Sequence, residues 1–273
     1  MKTFLYILFF SIVLLNSNSL LCQQIKEITI GKIQSAEIDS RDNIHIVKTN
    51  TEIASYSPQG KFLRSFIPKN RSQATHIDVT NAFKLFFFFK DIQECLFTDR
   101  YYTPLLSIDF YELGFENIIC STPSTNGDLW ILEEGVNEIF KYSIQQHQNI
   151  LNISLNQYLQ KDEIVNTIKE YHHQLIVFSN KYIHIFDQTG NKIDSFKKPQ
   201  HCKAEILSGD YLWMVTKSEI INTNIFSKKS KSAEFNDIHI EQFLLSEKEN
   251  TCYIFSEGKL YFYELNDLFG DRN

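Results

Sequence analysis

The stretch Tyr56-Ser-Pro-Gln-Gly-Lys-Phe-Leu-Arg-Ser-Phe66 recurs 130 residues later as Phe186-Asp-Gln-Thr-Gly-Asn-Lys-Ile-Asp-Ser-Phe196. Both copies begin and end with an aromatic residue, and both have glycine at the fifth position (Gly60 and Gly190). Glycine between two apolar segments is typical of a hairpin turn, so each copy predicts two strands joined by a tight turn. A repeated strand–turn–strand unit indicates a repeat architecture.

Six short and strongly apolar segments follow the same repeat. They are residues 44–47, 85–89, 129–132, 175–178, 212–215 and 252–255, and successive segments are 37 to 46 residues apart. Turn-forming residues precede most of them and another strand pattern follows each, which is the organisation of propeller blades. We expect three strands in every repeat and a fourth in the first and fourth repeats, after the glycine turns. Residues 155–163 predict either a helical turn or a longer polar connection.

The two ends of the repeat region predict how a ring would close. The sixth repeat supplies three strands, and residues 25–33 form a strand pattern that belongs to no repeat. In that segment Ile28 and Ile30 alternate with Glu27 and Thr29, as in a strand with one buried face. We expect it to pair antiparallel with residues 259–263, which removes an exposed sheet edge. The sequence therefore predicts an all-β fold: a six-bladed β-propeller closed by an N-terminal strand, with residues 23–273 as a single domain.

These features also carry a family resemblance. The glycine turns, the sequence Asn126-Gly-Asp-Leu-Trp130 and a period of about 42 residues resemble six-bladed β-propellers of the NHL and related repeat families. With its apolar N-terminal segment and aromatic-rich strands, the chain is also similar to uncharacterised exported propellers of Bacteroidetes-type bacteria. The resemblance covers roughly residues 25–265 and implies the fold. It does not imply an activity, because propellers include both enzymes and binding platforms.

The N-terminal segment predicts export. Lys2 precedes an apolar run over residues 4–15, and a polar stretch follows at residues 16–19. A helix of that length rises about 18 Å, which is short for a bilayer core of about 30 Å, so a cleaved signal peptide over residues 1–22 is favoured. A lipid-modified Cys22 is the alternative, although Leu21 stands where lipoprotein signals carry a small residue. We expect a periplasmic or extracellular protein that does not span the membrane.

Net charge and cysteine content limit the classes of partner and the disulfides that the chain could have. The formal net charge is −6 and the calculated pI about 5.8, which disfavours general nucleic-acid binding. Four cysteines follow the predicted signal: Cys95, Cys120, Cys202 and Cys252. They allow three disulfide pairings, but they form no CxxC pair, and buried free thiols are favoured.

Candidate catalytic and metal-binding residues are few. Asp39 and Asp78 occupy similar places near the ends of inner strands, where a propeller lactonase would hold a cation, but an oxygen site needs three or more ligands. His45 and His184 alternate with isoleucines in strand patterns, which suggests side chains on the polar face of a blade, and His172 and His173 lie in a turn. Structural or solvated histidines are favoured. No HExxH, GxSxG, P-loop or GxGxxG motif occurs. We therefore predict no catalytic, cofactor-binding or metal-ligating residue and no cofactor.

Trp130 and Trp213 occupy equivalent positions in their repeats, each directly after a leucine. They could form an aromatic surface for a ligand, but large aromatic residues at such positions more often fill the wedge between tilted sheets. We expect packing between blades.

The leading functional hypothesis is an exported, non-catalytic propeller that binds a protein or a cell-envelope component. A metal-dependent propeller hydrolase or lactonase is the alternative.

Overall fold

The computed structural model describes residues 24–69, 72–234 and 238–267, and these form six antiparallel four-stranded sheets. The predicted signal peptide, residues 1–22, lies outside the described residues. The sheets follow one another along the chain as the blades of a ring, which confirms the predicted six-bladed β-propeller.

The first three blades are each built from four consecutive strands. Blade 1 comprises β2 (Ile33–Ile38), β3 (Ile44–Lys48), β4 (Ile53–Tyr56) and β5 (Phe62–Phe66). Blade 2 comprises β6 (His76–Asp78), β7 (Leu85–Phe89), β8 (Glu94–Thr98) and β9 (Pro104–Asp109), with a 3-10 turn at Lys90–Ile92. Blade 3 comprises β10 (Ile118–Pro123), β11 (Leu129–Glu133), β12 (Glu138–Ser143) and β13 (Gln148–Ser154).

The next two blades repeat this plan, and the last one differs. Blade 4 comprises β14 (Val165–Tyr171), β15 (Gln174–Ser179), β16 (Tyr182–Phe186) and β17 (Lys192–Lys197). Blade 5 comprises β18 (Ala204–Ser208), β19 (Tyr211–Val215), β20 (Glu219–Asn224) and β21 (Ser230–Glu234). Blade 6 comprises β22 (Gln242–Ser246), β23 (Thr251–Ser256), β24 (Lys259–Glu264) and the N-terminal strand β1 (Gln24–Thr29), and a 3-10 turn covers Leu265–Asp267.

The N-terminal strand closes the ring as the sequence predicts. β1 pairs antiparallel with β24, and Ile28 lies opposite Leu260 and Thr29 opposite Lys259. The predicted strand extended to Ile33, which is wrong: β1 ends at Thr29, the chain turns at Gly31 with φ of +83°, and Ile33 begins β2. Ile30 and Gly31 both donate their backbone N–H to the carbonyl oxygen of Gly258, so the turn itself is fixed to blade 6.

The prediction of a fourth strand in only two repeats is also wrong, because every blade has four. The outer strands that the sequence did not reveal are β9, β13 and β21, and most of their residues are exposed. A strand without a buried face shows little apolar alternation, so its sequence resembles a polar connection. Between blades 3 and 4, residues 155–163 contain turns, including a single turn in which Leu159 donates to the carbonyl of Leu155.

The hydrophobic core lies between the blades. Among the described residues, each of the six interfaces between neighbouring blades holds one cluster of buried apolar side chains. In β7 the alternation assigns Phe86 and Phe88 to the interface with blade 3, and Leu85, Phe87 and Phe89 to the interface with blade 1. The strand is buried on both faces, as its uninterrupted apolar run predicts. Burying each phenylalanine contributes about 1.5–3 kcal/mol.

The glycine turns join neighbouring blades as well as neighbouring strands. Gly60 has φ of +77°, and a Cβ at that position would lie 2.6 Å from the Phe262 ring of blade 6. Gly190 has φ of +86°, and a Cβ there would lie 2.8 Å from Ile153 of blade 3. The repeated glycine is therefore required both by the backbone conformation and by the close approach of the preceding blade.

Candidate functional site

A polar network occupies the axis of the ring. It is formed by side chains of inner strands from four blades: Glu37 of β2, His76 and Asp78 of β6, Cys120 and Thr122 of β10, and Thr167 and Lys169 of β14. Lys169 Nζ lies 2.7 Å from Glu37 Oε1, which joins blade 4 to blade 1. Blades 1 and 4 are opposite in a ring of six, so this ion pair crosses the channel.

Hydrogen bonds complete the network around this pair. Thr122 Oγ1 donates to Asp78 Oδ2 over 3.1 Å, the backbone N–H of Thr80 donates to Asp78 Oδ1, and Thr167 Oγ1 lies 3.3 Å from His76 Nδ1. Cys120 Sγ lies 3.2 Å from the same threonine oxygen. These contacts thus join the inner strands of blades 1, 2, 3 and 4 to one another.

Burial controls the protonation of this network. Burial lowers the pKa of His76 to about 4, although Asp78 opposes this shift, so the imidazole is neutral near pH 7. Burial also raises the pKa of Glu37, partly offset by the positive charge of Lys169. Burial acts to lower the pKa of Lys169, but the carboxylates of Glu37 and Asp78 outweigh it and raise the pKa, so the lysine stays charged. Lys169 thus favours the charged form of the pair, burial of Glu37 opposes it, and the neighbouring histidine is neutral.

Asp39 and Asp78, the candidate metal ligands, have different partners. Asp39 Oδ1 accepts the backbone N–H of Arg41 and Asn43 and so fixes the turn after β2, and Oδ2 lies 3.2 Å from His45 Nε2. Asp78 belongs to the channel network. Within residues 24–69, 72–234 and 238–267, no group of three or more His, Cys, Asp or Glu side chains could hold a metal ion.

The histidines interpreted as structural have structural contacts. His45 is buried and its Nδ1 lies 2.9 Å from the Tyr102 hydroxyl of blade 2. His184 is buried with Nε2 at 2.7 Å from Glu163 Oε1, which fixes the connection between blades 3 and 4. His172 and His173 are exposed in the turn between β14 and β15.

Both tryptophans pack between blades, as predicted. Trp130 is buried in the interface of blades 3 and 4, and Trp213 in that of blades 5 and 6. Trp130 Nε1 also donates to Glu170 Oε2 of blade 4 over 2.5 Å. Burial acts to raise the pKa of Glu170, but hydrogen bonds from Ser124, Thr125 and Trp130 outweigh it and lower the pKa.

The four cysteines downstream of Cys22 are free thiols, as favoured. Cys95, Cys120 and Cys252 are buried and Cys202 is partly buried. Burial raises the pKa of Cys120 to about 11, which keeps it a thiol at neutral pH.

A cavity of about 720 Å³ lies beside the axis, between the inner strands β2, β14, β18 and β22. It borders the interface of blades 4 and 5, to whose buried cluster blade 5 contributes only Leu212 and Met214 among the described residues. Lysine and glutamate side chains both line the cavity, so its charge favours neither anionic nor cationic ligands.

A smaller cleft, of about 270 Å³, lies between blades 1 and 2 and has a single sign of exposed charge. We call it the arginine cleft and define it by Arg41, Arg64, Arg100, Leu63 and Tyr101. Arg41 lies in the turn between β2 and β3, Leu63 and Arg64 in β5, and Arg100 and Tyr101 in the turn between β8 and β9. Residues distant in sequence therefore meet at one end of the ring.

Aromatic rings and a hydrogen bond position the three guanidinium groups. Arg64 and Arg100 lie over the Tyr101 ring, with 4.6 and 4.7 Å from each Cζ to the ring centroid. Arg41 lies over the Phe83 ring at 4.6 Å. Arg64 Nη1 also donates to the carbonyl oxygen of Arg100, which fixes blade 1 to blade 2. A guanidinium over a ring face keeps its edge N–H groups outside the ring contact. Arg64 uses Nη1 for the Arg100 carbonyl and Arg100 uses Nη2 for the Tyr101 hydroxyl, which leaves their other donors for an anion.

The charge of the cleft contrasts with that of the chain. The protein has 27 lysines and arginines, of which only five are arginines, and its net charge is −6. Arg71 and Arg272 lie outside the described residues, and every arginine that the structure describes lines the cleft. In the described part of the chain, no carboxylate lies within ion-pair distance of the three guanidinium groups. Asp39 also lines the cleft, but its oxygens accept hydrogen bonds from the neighbouring turn and from His45.

Sequence reasoning did not identify this cleft. The available signal was the scarcity of arginine combined with its position, since four of the five arginines fall between residues 41 and 100. Only the fold shows that three of them face one another.

Comparison with solved structures shows the propeller fold in other proteins. The WD40 domain of Pan2 from Neurospora crassa superposes with a TM-score of 0.62 at 10% identity, over 88% of this chain and 94% of that domain. The extracellular domain of a protein described as a one-component system from B. thetaiotaomicron superposes with a TM-score of 0.56 at 12% identity. A second structure of that extracellular domain gives 0.57 at 11% identity.

The match to the B. thetaiotaomicron domain covers 85% of this chain but only about a third of that structure. At these identities the similarity shows the fold alone. No family model matches the sequence, and no curated protein matches it. The resemblance to the NHL family therefore stays a prediction, while the six-bladed propeller itself is established. No helix among the described residues is long and apolar enough to cross a membrane.

Proposed function

We propose that the protein is an exported, non-catalytic β-propeller that binds a protein or another component of the cell envelope. The observation that carries this proposal is the arginine cleft, where the exposed Arg41 and the half-buried Arg64 and Arg100 lie at one end of the ring and form no ion pair with a carboxylate of the described residues. Positioned cations with exposed aromatic neighbours form a recognition surface. His45 and Asp39 also line the cleft, but they are buried and bind each other, Tyr102 and the turn after β2.

The polar network at the axis also supports a non-catalytic function. Its acids and bases are used in contacts between blades: Glu37 with Lys169, Asp78 with Thr122, and His76 with Thr167. These contacts rigidify the ring. Glu37, His76, Thr167 and Lys169 also line the cavity of about 720 Å³, but their polar atoms bind side chains of other blades, so we assign the channel a structural role.

Export is supported by the sequence of residues 1–22 and by the occurrence of the same fold in an extracellular domain from B. thetaiotaomicron. The buried free thiols are compatible with an oxidising compartment, because burial separates them from one another and from oxidants.

The test is saturable retention by the cell envelope of the producing organism. The purified protein is labelled and incubated with envelope fragments, and an excess of unlabelled protein should displace it. The absence of saturable retention would contradict a binding function. Chelator-sensitive turnover of a lactone or ester by the same preparation would instead support the hydrolase alternative.

A further inference from the structure

We infer that the arginine cleft is the recognition site for an acidic segment of a protein partner, whose carboxylates bind Arg41 and Arg100 beside an apolar contact with Leu63 and Tyr101. This inference rests on the binding function proposed above and assigns the chemistry of the partner.

The cleft concentrates positive charge. Arg64 and Arg100 share the Tyr101 ring, Arg41 lies over the Phe83 ring, and all three line the cleft without an ion pair to a described carboxylate. Like charges in proximity repel, so an anion that enters the cleft relieves this repulsion in addition to forming its own hydrogen bonds. Guanidinium groups bind carboxylates through two parallel N–H···O bonds, which makes a carboxylate a matching ligand.

The guanidinium groups of the cleft are already positioned. Arg64 is fixed by its hydrogen bond to the Arg100 carbonyl, and Arg100 Nη2 donates to the Tyr101 hydroxyl over 2.6 Å. An arginine that is ordered before binding loses less conformational entropy when the ligand arrives. Such order at half-buried arginines that border an open cleft is expected of a binding site.

The size and the exposed lining of the cleft indicate a protein partner. The cleft is smaller than the pockets of about 300–1,000 Å³ that enclose small molecules, and it is open to solvent. Tyr101 is 56% exposed, Phe83 at its edge 62% and Leu63 39%. Arginine and tyrosine beside exposed apolar side chains are typical of the centre of protein interfaces. A nucleic acid is disfavoured because the protein has a net charge of −6, which repels a phosphate backbone.

The test uses fluorescence anisotropy with a fluorescein-labelled peptide in which glutamates flank a tyrosine and a leucine. We expect the full protein to bind this peptide, and binding to weaken as salt is added because exposed charges are screened over about 8–10 Å. The same peptide with glutamine in place of every glutamate should bind at least about tenfold more weakly, since it cannot form charge-assisted bonds.

Variants locate the site. Arg41→Gln and Arg100→Gln together should weaken peptide binding about tenfold or more, while Lys229→Gln in the exposed turn before β21 serves as the control for lost charge and should leave it unchanged. Arg64 is not substituted, because it bridges two blades. If the double variant has a lower melting temperature, peptide binding is measured with Arg41→Gln alone. The Arg41 side chain has a stacking contact but no described hydrogen bond, so its loss should leave the fold intact.

Three results would overturn the inference: no binding of the acidic peptide, equal binding by the double variant and the wild type, or displacement of the peptide by polyglucuronate at a lower carboxylate concentration than by unlabelled peptide. The last result would assign the cleft to an acidic polysaccharide. A fourth result comes from the envelope assay: if envelopes retain the double variant as they retain the wild type, this assignment fails while the binding function stands.

Discussion

Lys169 of blade 4 and Glu37 of blade 1 form an ion pair across the axis of the propeller, with 2.7 Å between Nζ and Oε1. Neighbouring blades are already joined by apolar clusters, but this pair joins two blades that share no interface. The carboxylate also accepts the backbone N–H of Val79 from blade 2 over 3.3 Å. The pair therefore fixes the relative position of three inner strands at the centre of the ring.

Removing one partner of this pair should be costly. Lys169→Met leaves the Glu37 carboxylate partly buried without its cation, and we expect a loss of about 1–3 kcal/mol in the free energy of unfolding. Urea denaturation measures this loss. Adding Glu37→Gln to the lysine variant should restore part of it. The exposed pair between Lys259 and Glu27 is the control, and Lys259→Met should have a much smaller effect. Equal losses at the two sites would contradict a central role for the channel pair.

The repeated glycines predict a second stability effect. Gly60→Ala and Gly190→Ala each introduce a Cβ at positive φ and within 3 Å of a side chain of the preceding blade. We expect about 2–4 kcal/mol of destabilisation from the strained conformation and the overpacking together. Gly127 has φ of +92° but open space around it. Gly127→Ala should therefore lower the free energy of unfolding only through the strained backbone conformation, by about 1 kcal/mol. If all three variants lose the same stability, the interface contact has no role.

His76 predicts how stability depends on pH. Its pKa is about 4 in the folded protein because of burial, and about 6.5 when the chain is unfolded. Between these values the unfolded chain binds a proton that the folded protein does not, so the free energy of unfolding decreases as the pH falls from about 6.5 to about 4. His76→Gln should reduce this decrease. Some decrease should remain, because burial also lowers the pKa of His184. Urea denaturation at a series of pH values would refute the assignment if the wild type and the variant had the same slope.

Ring closure gives a fourth stability prediction. A chain that begins at Lys32 keeps blade 1 intact but lacks β1, which leaves β24 as an exposed edge. We expect a lower melting temperature and concentration-dependent association, since an unpaired edge pairs with other chains. Most β1 side chains are exposed, so the loss comes mainly from ladder hydrogen bonds and from Ile30, which is 6% exposed. Calorimetry and size-exclusion chromatography test this. A shortened chain that is as stable and as monomeric as the longer one would show that β1 does not hold the ring closed.

The sequence predicted those parts of the fold that leave a local signature. The apolar run of β7 and the glycines at 60 and 190 indicate buried strands and tight turns, and their spacing gives the number of blades. The outer strands β9, β13 and β21 were missed because exposure removes the apolar alternation on which the interpretation depends. The predicted strand over residues 25–33 is too long. A turn at Gly31, fixed by the carbonyl oxygen of Gly258, separates β1 from β2, and the apolar pattern continues through this turn.

The candidate site was less predictable for a different reason. Arg41, Arg64 and Arg100 come from three separate turns and strands, and their proximity depends on the packing of blade 1 against blade 2. The ion pair of Lys169 with Glu37 joins residues 132 positions apart. Neither arrangement leaves a motif in the sequence. Asp39 and Asp78 do recur in position, but Asp39 fixes the turn after β2 while Asp78 binds Thr122 of blade 3.

The most direct measurement of the proposed binding site is photo-crosslinking in the producing cell. Benzoylphenylalanine replaces Phe83 at the edge of the arginine cleft, and in a separate strain it replaces Phe226 of blade 5, which is 75% exposed. We predict a crosslinked protein at position 83 that is absent at position 226, and that disappears from position 83 when Arg41→Gln and Arg100→Gln are added. No crosslink at position 83, or the same crosslinked protein at both positions, would contradict the assignment of the cleft as the binding site.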